Sequence, residues 1–155
     1  MKNSLPIPQD FLKKIFQQAE QEYPNECCGM IFGPTGTKKG YSKLRSCRNV
    51  QDQYHEIDPV SFPRNAKTAY FIEPKELLAI QKELRRDNEK IEIIYHSHIE
   101  AGAYFSEEDK RIASFEDEPV YPGVDYLVVS VIKGKVQEAN LFVWDPAKHD
   151  FVSPS

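Results

Sequence analysis

The stretch HSHIEAGAYFSEED, His96 to Asp109, follows the largely apolar run IEIIY at 91–95 and decides how the middle of the chain is read. Side chains alternate along an extended backbone, so His96 and His98 share one face and Ser97 points away from them. IEIIYHSH therefore reads as a strand that ends on its two histidines. Ser106, with Asp109 three residues on, has the spacing of a helix N-cap and its capping box, so SEEDKRIASF reads as the start of a helix. The segment is thus strand, short loop, helix. The chain holds four histidines, and the other two, His55 and His149, lie far away in sequence.

On the N-terminal side, Phe11, Leu12, Ile15, Phe16 and Ala19 make a helical stripe that Pro8 and Asp10 open and Pro24 stops. ECCGMIFG (26–33) reads as a short strand, GPTGTKKG (33–40) as a turn and YSKLRSCRNV (41–50) as an antiparallel partner strand. QDQYHEIDPVSFPRNAKT (51–68), polar and broken by Pro59 and Pro63, reads as a long irregular loop, and such loops often carry function. AYFIE (69–73) is a strand candidate. Pro74 opens a second helix with Leu77, Leu78, Gln81 and Leu84 in register. After the Ser106 helix, DYLVVSVI (125–132) and VQEANLFVW (136–144) read as a hairpin turned by Lys133-Gly134-Lys135. The pattern predicts a mixed α/β sheet with helices on its faces, in a single domain over 1–155.

Composition narrows the function classes. With 155 residues, 40% of them hydrophobic and 28% charged, the chain can bury its own core without covalent staples. A net charge of −4 and a pI near 5.6 argue against nucleic-acid binding, which calls for clustered Lys and Arg. Three cysteines form no disulfide framework, and Cys27 and Cys28, adjacent in a strand, should enter opposite faces as structural thiols. No stretch has the length and apolarity of a membrane span, and MKNSLPIPQD lacks the apolar core of a signal peptide. A cytoplasmic protein is expected.

Taken alone, a His-x-His pair marks a surface pair at a strand end more often than a metal site, and Ser106 with Asp109 would be only a helix cap. Their joint spacing changes that reading. Two imidazoles on one strand face and a carboxylate at the next helix start can supply a His₂Asp donor set, which suits Zn²⁺ and leaves a fourth position for water.

His96-Ser97-His98, seven residues, Ser106, two residues and Asp109 resemble the H-S-H-x₇-S-x₂-D signature of the JAMM metallopeptidases, also called the MPN-plus or Mov34/PAD-1 family. YPNECCGMIFG is similar to the prokaryotic form of that family's upstream glutamate element, and YFIEP before the central helix continues the likeness over most of the chain. The resemblance implies a cytidine-deaminase-like architecture and one zinc ion per chain, bound by His96, His98 and Asp109. It implies Glu26 as the general base and Ser106 as the hydroxyl donor to the oxyanion. Without it, Glu26 would read as a solvated residue after a helix-ending proline. Ile99 and Phe105 replace prolines common in the family, which bears on loop shape and substrate fit rather than on metal chemistry. Gly29 and Tyr95 read as structural. His55 reads as a loop residue, since three ligands already suffice.

The implied reaction is hydrolysis of a peptide or isopeptide bond after the Gly-Gly tail of a ubiquitin-like or sulfur-carrier protein. GAYFSEED and the Pro63-Arg64 loop resemble the bacterial stand-alone members, for which release of cysteine from the carrier is expected. The tail would add as a strand at a sheet edge, with the segment from Asp52 to Lys67 as one wall of the groove. Two alternatives stay open: a deconjugase that frees a modifier from lysine, and a non-catalytic MPN module that holds a tail without cutting it.

Overall fold

A computed structural model describes residues 5–36 and 40–154. The elements, in chain order, are α1 (Gln9–Glu22), β1 (Cys28–Pro34), β2 (Lys43–Cys47), α2 (Gln51–Ile57), α3 (Pro74–Asp87), β3 (Glu89–Ile99), α4 (Glu107–Ala113), β4 (Ser114–Phe115), β5 (Glu118–Pro119), β6 (Asp125–Ile132), β7 (Lys135–Asp145) and β8 (Asp150–Val152). The main sheet has six strands in the order β2-β1-β3-β6-β7-β8. Only the β3–β6 pair is parallel, so the sheet is mixed, as expected. The crossover between those two strands carries α4 and the small β4–β5 hairpin.

Burial on both faces explains why the central strands are apolar throughout. On one side Leu12, Ile15 and Ala19 of α1 pack on Ile31, Ile93, Tyr95, Leu127 and Val129. On the other, Ile80 and Leu84 of α3 and Ala113 of α4 pack with Met30, Phe32, Ile94, Val128 and Phe142. Cys27 joins the first core and Cys28 the second, the opposite-face placement predicted for neighbours in an extended chain. All three cysteines are free and buried, and burial pushes the thiols of Cys27 and Cys47 up to about 12, so they are poor nucleophiles.

Three segments differ from the expectation. The first part of the expected loop is helical: α2 spans Gln51–Ile57, too polar to show an apolar stripe and without a side-chain cap. AYFIE is not a strand; Ile72 makes a single bridge to Asn49. The Asn49 carboxamide takes the place of a ladder there, donating to the Ala69 carbonyl at 3.1 Å and accepting from Phe71 N at 3.1 Å. The strand expected over 41–50 is shorter, Lys43–Cys47. The middle of the turn expected over 33–40 lies outside the described residues.

The register pairs Gly29 with Tyr95. The Tyr95 ring lies where a Gly29 side chain would be, and its hydroxyl donates to Gln18 on α1. Gly29→Ala should therefore cost about 1–3 kcal/mol through overpacking, read as a lower urea midpoint at unchanged slope.

Candidate metal centre

β3 delivers His96 and His98 to the face shared with Ile94, both buried. The loop after β3 is pinned at almost every residue. Glu100 N donates to Val131 O, the Ser130 hydroxyl donates to Ala101 O, and His98 Nδ1 meets Gly102 O at 2.9 Å. Ala103 donates to Glu138 and accepts from Asn140. Phe105, at one position where a proline is common in the resembled family, anchors the loop in an aromatic cluster with Tyr126, Phe142 and Phe151, ring centroids 5.1–5.4 Å away.

The chain then enters α4 through a complete capping box. Asp109 N donates to Ser106 Oγ and Ser106 N donates to Asp109 Oδ2, each at 3.0 Å. The cap runs through the side-chain oxygen of Ser106, which leaves its O–H free to donate elsewhere. The same box turns the Asp109 carboxylate toward the histidines. His96 Nε2 lies 3.0 Å from Oδ1 and His98 Nε2 lies 2.9 Å from Oδ2. Donor atoms of the three residues all lie within 4.8 Å of one another, and they are the one such group among the described residues.

This donor set fits a divalent cation. His98 Nδ1 faces a carbonyl and so must carry a proton. A neutral ring then aims the Nε2 lone pair at a carboxylate oxygen 2.9 Å away, and that gap calls for a second proton or a cation. His96 is fully buried and neither of its ring nitrogens makes a hydrogen bond; the 3.0 Å approach to Asp109 is out of line for one. Two ligands about 2.0 Å from a tetrahedral zinc stand about 3.3 Å apart, close to the spacings seen here. Burial disfavours ionisation of Asp109, but the two imidazoles of His96 and His98 beside it outweigh that and hold the carboxyl well below the usual range.

Glu26 and Ser106 open on the same cleft as His98 and Asp109, a space of about 140 Å³. Glu26 is not a solvated residue: it is 5% exposed. Its backbone is held from outside the sheet, N–H to Ala66 O at 2.7 Å and C=O from Asn49 Nδ2 at 2.8 Å. Burial, and then the nearby Asp109 carboxylate, push its carboxyl up to about 9. Cys27 N donates to Ser97 Oγ at 2.8 Å, so the residue between the two histidines also fixes the chain beside Glu26. His55, on α2, points at the Phe62 carbonyl, and His149 at the Asp117 carbonyl; neither joins the group.

Residues not singled out from sequence complete the site. Tyr70 stacks on His96 with ring centroids 4.7 Å apart, and Tyr104 meets His98 edge-on at 5.0 Å. Asn49 saturates its carboxamide on Glu26, Ala69, Gln51 and Phe71. Tyr104 lies inside the ligand segment and could have been flagged by position. Tyr70 and Asn49 carry no local signal.

The family model for prokaryotic homologs of the JAB domain matches residues 8–145, from α1 through β7. The chain belongs to the prokaryotic JAB-domain family. This JAB-domain chain is 25% identical over 126 residues to proteins named CysO-cysteine peptidase from Mycobacterium tuberculosis and Mycobacterium bovis, covering 81% of this chain and 73% of theirs. Its fold is similar to solution structures of a protein from Desulfitobacterium hafniense (TM-score 0.67, 21% identity, 95% of this chain and 87% of that one) and a protein from Salinibacter ruber (TM-score 0.64, 20% identity, 97% and 89%). No helix among the described residues is long and apolar enough to cross a membrane.

Two outcomes are expected from this JAB-domain site. Purified protein should take up one divalent metal ion per chain, and His96→Ala or Asp109→Ala should each lower that occupancy strongly while circular dichroism stays native. Full occupancy in both variants by elemental analysis would remove the ligand assignment. The second concerns pH. The Glu26 carboxyl is raised in the folded chain, so its contribution to the stability of chelated protein is complete below about 4.5 and is lost as pH climbs to about 9. Urea midpoints of chelated wild type should fall relative to Glu26→Gln across that window; parallel profiles would contradict the shift.

Proposed function

We propose that this chain is a zinc-dependent peptidase that hydrolyses the bond after a C-terminal Gly-Gly on a sulfur-carrier protein of ubiquitin-like fold and releases cysteine. The observation that carries the reading is the His96, His98 and Asp109 donor group, whose His98 and Asp109 line one cleft with Glu26 and Ser106, in a JAB-domain chain. The named activity of the mycobacterial relatives supports the substrate class. Residues 1–155 would act as one domain.

His96, His98 and Asp109 would hold the ion. Bound zinc supplies the Lewis acidity that makes water nucleophilic near neutral pH, and positive charge that favours the ionised form of Glu26. Glu26 accepts the proton of the attacking water and delivers it to the leaving amine. The free O–H of Ser106 donates to the oxygen that gains negative charge, a role often worth about 3 kcal/mol. The pinned loop over 100–105 and the α4 cap hold Ser106 and Asp109 in place, so little reorganisation is needed. Glycines at the tail let its backbone approach where side chains would block it.

Glu26→Gln keeps the size of the side chain but removes the base, so it should retain zinc and lose about 10²-fold or more in turnover. The substrate test is mass spectrometry of carrier proteins ending in Gly-Gly-Cys, Ala-Ala-Cys or a Gly-Gly–lysine isopeptide. Cleavage of Gly-Gly-Cys alone is expected. Equal cleavage of Ala-Ala-Cys would end the glycine-tail reading, and preference for the isopeptide would make the chain a deconjugase.

A further inference from the structure

Arg64, Lys67 and Thr68 line the cleft together with Glu26, His98, Ser106 and Asp109, so two cations border a centre whose other charged groups are carboxylates. Their backbone is fastened in place. Gln51 Nε2 on α2 donates to Arg64 O at 2.9 Å, and Asp52 Oδ1 accepts Ala66 N–H at 2.7 Å. Ala66 O in turn takes the N–H of Glu26. The cations therefore flank the residue that holds the proposed base, on a segment tied at both Arg64 and Ala66.

Neither cation is held in a close ion pair. Arg64 reaches the Thr68 carbonyl at 3.4 Å and stands 4.0 Å from Glu108. Glu108 is already engaged by Arg111 through two contacts of 2.9 Å. Lys67 pairs with no carboxylate among the described residues. One cation with only a distant, shared carboxylate partner and one with none among the described residues, beside a reacting centre, suit an anionic group on the substrate.

We propose that Arg64 and Lys67 receive the free α-carboxylate of the residue that leaves, and so restrict the site to bonds that precede a single terminal residue. The inference rests on the hydrolase reading. When a terminal residue is cut off, its carboxylate carbon lies two covalent bonds from the leaving nitrogen, within the same small cleft. Hydrolysis adds the water oxygen to the glycyl carbon and hydrogen to that nitrogen, and the carboxylate is unchanged throughout, so its binding orients both substrate and product. A lysine side-chain leaving group has its backbone five bonds away and carries no carboxylate near the nitrogen. The planar guanidinium fork of Arg64 matches a carboxylate bidentately, and Lys67 adds a point charge.

The test is binding to zinc-loaded Glu26→Gln, in which turnover is expected to be about 10²-fold or more slower. The probes are two synthetic peptides ending in Gly-Gly-Ser, one with a free carboxylate and one with a carboxamide; serine avoids thiol ligation of zinc. By titration calorimetry the acid should bind about 10-fold or more tightly than the amide. Adding Arg64→Gln and Lys67→Gln should bring the two affinities within about 2-fold of each other. The ratio compares two ligands on one protein, so a general loss of structure does not mimic this result. Equal affinity for acid and amide in the parent, including no binding of either, overturns the carboxylate site, as does a ratio that survives both substitutions. Failure of wild type to hydrolyse any carrier would instead count against the hydrolase reading, and the binding ratio is read independently of it.

Discussion

The two-residue alternation of β3 is the constraint on which the rest depends. Its side chains enter two separate cores, Ile93 and Tyr95 on one side and Ile94 on the other, between β1 and β6 as neighbours. A slip of one residue would exchange the cores and carry both histidines to the wrong face. Burial on both faces forbids that slip. The same alternation turns Ser97 away from the histidines and onto Cys27, so the packing that fixes the sheet also ties the segment before β1 to the histidine-bearing strand.

The Asp109 carboxylate joins two kinds of structure. One oxygen serves both the α4 cap and His98, and the other approaches His96. A seven-residue helix is marginal on its own, so its cap and its tertiary contacts must hold it. Here one member of the capping pair, Asp109, is also part of the donor set, and the aromatic anchor at Phe105 sets the loop between β3 and the cap.

Much of this was legible in the sequence because it is periodic or local. The alternation of IEIIYHSH, the Ser106–Asp109 cap, the α1 stripe and the β6–β7 hairpin are short-range patterns, and the structure repeats them. The placement of Glu26 was legible only through a family resemblance, since a glutamate after Pro24 and Asn25 has no periodic reason to be buried. What sequence did not reveal is tertiary. α2 has no apolar stripe, because its role is to offer Gln51 and Asp52 to the following segment. Asn49 looks like any polar loop residue until its four partners are seen. Tyr70 sits in an apolar run mistaken for a strand, and its stacking on His96 depends on that segment being irregular. β8 and the β4–β5 pair are too short to show a period.

The two halves of the site differ in contact order. His96, His98 and Asp109 come from one short stretch that a tight loop closes, at low loop-closure entropy. Glu26 comes from about 70 residues earlier and is suspended from Ala66 and Asn49, contacts that close loops much longer than the one between His98 and Asp109. Partial unfolding that frees the α2 segment would thus displace Glu26 while leaving the donor set assembled. Under the proposed function, stressed or truncated protein would still carry its ion after it had lost its chemistry, and metal content would overstate the fraction of competent molecules.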